Sequence, residues 1–290
     1  MVANLKDLGL DITLLEKNPD VGGVWRENYA EFGLQVPYEL YEFPGFPYAP
    51  DENRDKFPRG DCVQKYIKRY ATEKNVYDNA IFNTKVTSVE RKGSGWELVH
   101  EGVSEGSKKE TREFDFVVVC TGMYSTPLLV HFKDEDKFKG HITHATYFTD
   151  GEKACKDKNV VVVGGGKSAI DCAVVAAKYA KSSSIVFRGA HWPVPRKILN
   201  LVPFKWATYN RFGNFFLEGY YNQSAIRTAI HAAFRPVKWA WWRLVEQFFK
   251  LQFGLKGKQV PTIPIEIDVF AGGQILNYDY KNQLKANKIN

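Results

Sequence analysis

The chain has 290 residues, of which 44% are hydrophobic, 25% charged and 14% aromatic, with a formal net charge of +7. Such a length accommodates about two domains, and the composition excludes a disordered chain; without a run of 18 apolar residues no membrane span is expected. Cys62, Cys120, Cys155 and Cys172 form no C-x-x-C pair, which excludes a dithiol reductase and a cysteine-rich zinc site, and no metal is expected. They read as reduced packing residues, and with no N-terminal signal in view the expectation is a cytoplasmic protein. The charge is uneven: residues 196–258 carry 11 Lys/Arg against Glu218 and Glu246, a net of +9, so the remainder is near −2.

Along the chain, Val2, Leu5 and Leu8 follow helical spacing, Gly9 stops the helix, and residues 11–16 (DITLLE) predict a strand. Glu16, at the end of that strand, is placed to hold a ribose hydroxyl. The glycine fingerprint that belongs roughly 20 residues earlier is not among the 15 residues before it, so the first strand and its turn are expected to lie outside this chain. Gly22-Gly23-Val24-Trp25 offers close backbone approach and a flat stacking surface, both of which suit a flavin. Residues 34–50 are dense in proline and aromatics and read as an ordered loop, over a site or simply rigid. Asp61 is expected to cap a helix running to about Thr72 with Val63, Tyr66, Ile67 and Tyr70 inside. Residues 86–89 and 96–99 predict a hairpin, residues 102–109 a polar turn, and residues 114–120 (FDFVVVC) a buried strand closing on Thr121-Gly122.

Phe138, Gly140, His144 and Phe148 then stand at the spacing F-x-G-x(3)-H-x(3)-F. Val160 to Val163 predict a strand buried on both faces. Gly164, Gly165 and Gly166 follow, then a helical run beginning Lys167-Ser168-Ala169-Ile170-Asp171. Gly164 permits the tight turn, Gly166 lets backbone approach a pyrophosphate, and Ala169 is small enough for the helix to lie on the strand. The free N–H groups of residues 167–169 face the anion. A second strand, residues 184–187, ends in Arg188, 22 residues after Gly166, where an acid would select NAD; Arg suits the 2′-phosphate of NADP. A P-loop is excluded because Val161 stands where that motif needs glycine.

Residues 189–196, with His191, Trp192 and Arg196, shape the nicotinamide or phosphate pocket or form a structural loop. Residues 236–253 predict a helix between Pro236 and Gly254 with Val237, Trp241, Leu244 and Phe248 on its apolar stripe. Aromatics beside Lys/Arg suit a membrane surface or a substrate tunnel; packing at home is the alternative, and no nucleic-acid-binding module surrounds them. Residues 260–264 read as an extended linker and residues 275–290 as a polar end without a closing element.

These residues together resemble the flavin-containing monooxygenases of plants and fungi. The 138–148 spacing matches the family signature, residues 164–171 (GGGKSAID) resemble its NADPH motif, Glu16 with residues 22–25 its FAD segment, and Cys120-Thr121-Gly122 its A-T-G strand end. Gln35-Val36-Pro37, Tyr41-Glu42-Phe43 and Phe46-Pro47 are similar to the plant and fungal branch. The fold implied is α/β with two Rossmann-like domains: an incomplete FAD-binding domain, residues 1–150, and an inserted NADPH-binding domain, residues 151–290, whose basic aromatic helical insert spans about 197–258. The resemblance implies FAD on Glu16, Lys17, Gly22, Gly23, Val24, Trp25, Gln35, Val86, Thr121 and Gly122, and NADPH on Gly164, Gly165, Gly166, Lys167, Ser168, Ala169, Asp171 and Arg188. Gln35 takes the catalytic place beside the flavin, and His144 is structural. The reaction implied is NADPH reduction of FAD, capture of O₂ as a C4a-hydroperoxyflavin, and transfer of one oxygen to a soft nitrogen or sulfur in a small amine or thioether. A non-catalytic NADPH-binding or interaction module is the alternative, no nucleic acid is expected, and residues 236–253 are the candidate membrane-surface contact.

Overall fold

The computed structural model describes residues 1–50, 52, 56–199, 201–203, 205–206, 210–216, 224–272, 274–276 and 278–289. The chain divides into two units. The first comprises Met1–Asn28 and Tyr38–Thr146, the second Tyr29–Pro37 and Tyr147–Asn290. Residues 29–37 therefore fold with sequence more than 100 positions away.

In the first unit, α1 (Val2–Lys6) precedes β1 (Leu14–Leu15), which pairs in parallel with β2 (Ala80–Ile81). The expected strand over residues 11–16 is thus two residues long, because one short neighbour is its only ladder partner among the described residues. Helix α2 (Gly60–Glu73) starts on Arg59; Asp61 lies inside the first turn and makes no capping bond, so its expected cap role is corrected. Val63 and Tyr66 face inward as the periodicity requires. Tyr66 accepts from the Phe43 N–H at 2.6 Å, donates to the Phe46 carbonyl at 2.7 Å and stacks on Tyr48 at 3.9 Å. Arg69 lies 4.2 Å over the Phe46 ring and grips both oxygens of Glu52 at 2.8 Å. Residues 38–50 are thereby an aromatic layer held on α2.

Strands β3 (Thr84–Lys92), β4 (Gly95–Gly102) and β5 (Lys109–Phe114) form an antiparallel sheet in that order, with a register shift between Val86 and Ser88. The hairpin is where the alternation placed it. The buried strand expected over residues 114–120 is not there: β5 ends at Phe114, and Phe116 is 87% and Val119 73% exposed. A run apolar on both faces needs ladder neighbours and a cover on each side, and among the described residues it has neither.

The second unit is built on β6 (Asn159–Val163), α4 (Lys167–Tyr179) and β7 (Ser182–Val186), preceded by α3 (Gly151–Cys155), whose cap Asp150 accepts from the Lys153 N–H at 3.0 Å. Strands β6 and β7 run parallel, Val161 opposite Ser184 and Val163 opposite Val186. Helix α4 covers one face, where Ala173 and Val174 meet Val162 and Ile185. The expectation that the valines are buried on both faces is corrected: Val161 is 62% and Val163 61% exposed, because no described element covers their side of the sheet.

Next come β8 (Pro193–Pro195), β9 (Lys197–Ile198) and β10 (Val202–Pro203), the last two an antiparallel pair, then α5 (Arg211–Phe216), α6 (Ala225–Ala233), α7 (Arg235–Phe253), α8 (Ile265–Ala271), β11 (Gln274–Leu276) and α9 (Tyr278–Lys285). Strand β11 pairs in parallel with β8. Helix α7 begins and ends as Pro236 and Gly254 require, but of its expected apolar stripe only Phe248 packs inward, while Val237, Trp241 and Leu244 are exposed. The inner face is Lys238, Trp242, Val245, Glu246 and Phe249. Glu246 sits inside because it accepts the Ile265 N–H at 3.0 Å, meeting a free donor at the start of α8. No helix of the described residues is long and apolar enough to cross a membrane. The polar end expected after residue 275 does close the unit: Leu284 and the buried Ile289 pack onto Ala173 and Val174.

Candidate functional site

The turn from β6 into α4 has the geometry its glycines allow. Gly164 adopts φ +141°, closed to residues with a Cβ, and a Cβ there would lie 3.2 Å from the Ala169 methyl group. Its N–H donates to the Val186 carbonyl at 2.8 Å, which ties the turn to the end of β7. A Cβ on Gly165 would stand 3.1 Å from the Gly189 carbonyl oxygen. Gly166, the residue before the helix, has nothing within 4 Å of where a Cβ would be. The start of α4 therefore presents unobstructed backbone, and its first N–H groups form an anion seat.

Side chains at this helix start turn inward. Lys167 pairs with Asp171 one turn on, the two side chains being 12% and 6% exposed. Asp171 Oδ2 also accepts from the Tyr29 hydroxyl at 3.0 Å, while Oδ1 is buried without a partner. Burial, then the Asp171 charge, push the Tyr29 phenol well above its ordinary range. Lys167 thus offers a phosphate its backbone N–H, with its ammonium committed to Asp171. Arg188 is exposed two residues beyond the end of β7.

A pocket at the carboxyl ends of β6 and β7 is lined by Gly165, Ile170, Phe187, His191, Gln259 and Tyr280 among others. Ligands of open α/β sheets enter at this end. His191 is fixed from behind, its Nδ1 2.7 Å from Asp268, which is fully buried and also accepts the Trp192 N–H at 2.6 Å. Trp192 donates to the Ile263 carbonyl at 2.7 Å and is core. Of residues 189–196, His191 therefore lines the pocket while Trp192 is structural. Tyr29, Gln259 and Tyr280 carry no local motif, which is why the sequence left them unmarked.

The residues expected to hold a flavin, apart from Gln35, belong to the first unit. Glu16 Oε1 accepts from the Asn18 backbone and side-chain nitrogens, both at 2.8 Å, which leaves Oε2 for a ligand hydroxyl. The Glu16 carbonyl accepts the Thr84 N–H at 2.9 Å, which sets Glu16 and Lys17 beside the start of β3 and Val86. Lys17 reaches the Ser125 carbonyl at 3.4 Å, close to the exposed Thr121-Gly122. Gly22 has φ +120°, and a Cβ on it would lie 1.8 Å from Gln64 Oε1, an atom buried without a partner. Gly23 and Val24 continue into a short 3₁₀ turn that brings Trp25 to Tyr41, whose oxygen accepts the indole N–H at 2.7 Å. These features fit a flavin nucleotide: a spare carboxylate oxygen, open backbone at Gly23 and an anchored indole. Gln35 is exposed and folds with the second unit. His144 accepts the Thr146 N–H through Nδ1 at 3.2 Å, a bond within its own turn.

The sequence profile of a family described as flavin-binding monooxygenase-like matches residues 2–236. The chain is 30% identical over 183 residues to senecionine N-oxygenase of Tyria jacobaeae, covering 58% of this chain and 39% of that protein. It is 32% identical over 224 residues to flavin-containing monooxygenase 3 of Rattus norvegicus, covering 71% and 41%. The chain thus spans about two-fifths of the length of these curated relatives. Among solved structures, OTEMO in complex with FAD and NADP superposes with a TM-score of 0.70 at 19% identity, over 100% of this chain and 61% of that one, a likeness of fold.

Proposed function

The chain belongs to the flavin-binding monooxygenase-like family, and from that premise we propose that it is the cofactor-binding part of an FAD- and NADPH-dependent monooxygenase. Its reaction places one oxygen atom of O₂ on a soft nitrogen or sulfur of a small amine or thioether. The observation that carries this reading is the glycine turn, with Gly164 at φ +141° and open backbone at Gly166 leading into α4. When bound, NADPH supplies hydride and FAD the activated oxygen, while the protein supplies binding, orientation and exclusion of water.

The residues divide by task. The N–H groups of residues 167–169 hold the pyrophosphate of NADPH, Gly164 to Gly166 and Ala169 let it approach, and Arg188 meets the 2′-phosphate. Glu16 Oε2 accepts a ribose hydroxyl of FAD, Gly22 to Trp25 pass along its backbone, and Lys17, Val86, Thr121 and Gly122 border it. Gln35 offers its amide to the reactive side of the flavin. No side chain is required as a general acid or base. Nitrogen as the accepting atom is favoured by the name of the Tyria jacobaeae relative, an N-oxygenase. A cytoplasmic protein touching a membrane surface through residues 236–253 is supported by the exposed Trp239, Trp241 and Leu244; failure to sediment with anionic vesicles at low salt removes that contact.

The test is the visible spectrum of the 290-residue chain mixed with FAD and desalted, followed by NADPH. Retained flavin that bleaches with NADPH supports the reading. A colourless chain that still binds NADP⁺ leaves the alternative, a nucleotide-binding module without flavin chemistry. Arg188→Glu should shift preference from NADP⁺ towards NAD⁺ by about tenfold or more, the scale of one lost charge-assisted contact; an unchanged preference removes Arg188 from the 2′-phosphate.

A further inference from the structure

The imidazole of His191 is oriented from three directions. Its Nδ1 lies 2.7 Å from Asp268 Oδ1, and Asp268, fully buried, accepts the Trp192 N–H on its other oxygen at 2.6 Å. The ring rests on bare backbone, since a Cβ on Gly272 would come within 2.2 Å of Cε1 and Nδ1. Its Cδ2 edge faces the glycine turn, 3.7 Å from where a Gly165 Cβ would be. No described residue bonds Nε2, and the side chain, 30% exposed, lines the pocket. A buried carboxylate that already accepts one N–H asks for a second donor. The proton of the neutral ring therefore sits on Nδ1, and Nε2 keeps its lone pair. Elsewhere on the pocket border Gln259 Oε1 accepts the Lys256 N–H at 3.3 Å, within its own turn, while Ile170, Phe187 and Leu255 supply apolar wall. Apolar walls with one oriented acceptor suit a flat heterocyclic base.

We propose that His191 is a specificity residue whose Nε2 accepts the 6-amino group of the adenine of NADPH, and that Asp268 is the positioning residue that keeps Nε2 an acceptor. The inference rests on the dinucleotide reading of the glycine turn. Covalent connectivity selects the base: Arg188 is the residue for the 2′-phosphate, adenine is joined to that same ribose, and His191 follows Arg188 by three residues. The nicotinamide lies across the pyrophosphate from it. A base with an amine at C6 donates to Nε2. A base with a carbonyl at C6 sets two acceptors against each other and is rejected. The backbone of Trp192 makes the role of Asp268 separable. With an amide at position 268, the oxygen goes to the Trp192 N–H and the NH₂ faces Nδ1. That moves the ring proton to Nε2 and turns the acceptor into a donor.

The experiment is calorimetric titration of the 290-residue chain with NADP⁺ and with its hypoxanthine analogue, which carries a 6-oxo base in place of adenine. It is run at about pH 8.5, roughly two units above the ordinary histidine value, for wild type, His191→Leu and Asp268→Asn. Wild type should bind NADP⁺ about tenfold more tightly than the 6-oxo analogue, the scale of one acceptor left facing another. His191→Leu should bring the two ligands within about twofold of each other, because an apolar side chain reads neither group. Asp268→Asn should reverse the preference, a change of sign that a merely structural role would not produce. If Asp268→Asn leaves α8 unprotected in hydrogen exchange, wild type and His191→Leu decide the matter. Equal affinities in wild type, a preference that persists in His191→Leu, or a folded Asp268→Asn with the wild-type preference overturns the inference, while NADP⁺ binding itself leaves the dinucleotide reading standing. An equal loss of both ligands in His191→Leu would put the ring on a phosphate and overturns it too. No binding of NADP⁺ or 2′,5′-ADP to wild type overturns the dinucleotide reading and this inference with it.

Discussion

Replacing Lys167 with Met tests how the start of α4 is held. Its ammonium and the Asp171 carboxylate form a pair that is 12% and 6% exposed, and the carboxylate has Tyr29 as its other partner while Oδ1 has none. Met keeps most of the apolar stem and removes the charge. Asp171 is the fifth residue of the helix, outside the first turn, so the helix dipole supplies little compensation. What is left is a buried carboxylate with one neutral hydrogen bond, and breaking a buried pair from one side costs roughly 3–5 kcal/mol. Since the lysine side lies near the rim, about 3 kcal/mol is expected. Asp171→Asn should cost less, about 1–2 kcal/mol, because Lys167 can turn towards water and the amide oxygen still accepts from Tyr29. The double variant should recover at least ~2 kcal/mol of the summed losses, against about 0.3–0.5 kcal/mol for an exposed i,i+4 pair. The measurement is the opening free energy of the α4 amides by native-state hydrogen exchange, which reads this unit without assuming that the whole chain unfolds in one step. A Lys167→Met loss below ~1 kcal/mol with a coupling below ~0.5 kcal/mol would refute the reasoning and put Lys167 in solvent, available to a phosphate.

Three further outcomes are expected. Gly164→Ala forces a Cβ onto φ +141° at 3.2 Å from Ala169; strain of about 1–3 kcal/mol should weaken NADP⁺ binding by tenfold or more in a calorimetric titration, and an unchanged affinity would show that the turn is not the seat. Burial raises the Glu52 carboxyl, but the Arg69 bonds and the Ala49 N–H outweigh it, so Glu52 sits below its ordinary value. A folded value below the unfolded one stabilises above about pH 4.3 and is lost as pH falls through the folded value, so protection of α2 should fall in that acid window and Glu52→Gln should flatten the fall. Burial pushes the Cys172 thiol up to about 12 and also raises Cys155, whereas Cys120 is exposed; iodoacetamide mapped by mass spectrometry should modify Cys120 first, and early loss of Cys172 would mean that α4 is open.

The parts legible in sequence were those where one residue type is obligatory. A strand, three glycines and a helix of small residues admit few other backbones, and Gly164 and Ala169 show why those sizes were needed. The ends of α7 were legible for the same reason, through Pro236 and Gly254. Its faces were not: Lys238 and Glu246 are inside and Leu244 outside because partners such as the Ile265 N–H, 19 residues on, decide the orientation. Residues 114–120 have the composition of a buried strand, but a strand is made by its neighbours, and that information is not in the segment. Tyr29 illustrates the limit, since its partner Asp171 is 142 residues away and nothing around either residue announces the bond.

The open side of the β6–β7 pair also governs how the chain behaves in the tube. Val161, Val163 and Val186 lie on one face, each more than half exposed, and doubly wound folds normally have a layer there. Such a surface is sensitive to the kind of salt as well as its amount. Sulfate and phosphate, which strengthen burial of apolar area, should salt the chain out early, while modest urea should keep it monodisperse at concentrations where it would otherwise associate. A buffer chosen only for ionic strength would miss this, and a Val163→Thr variant, which keeps the branched shape and adds a hydroxyl, should widen the usable range.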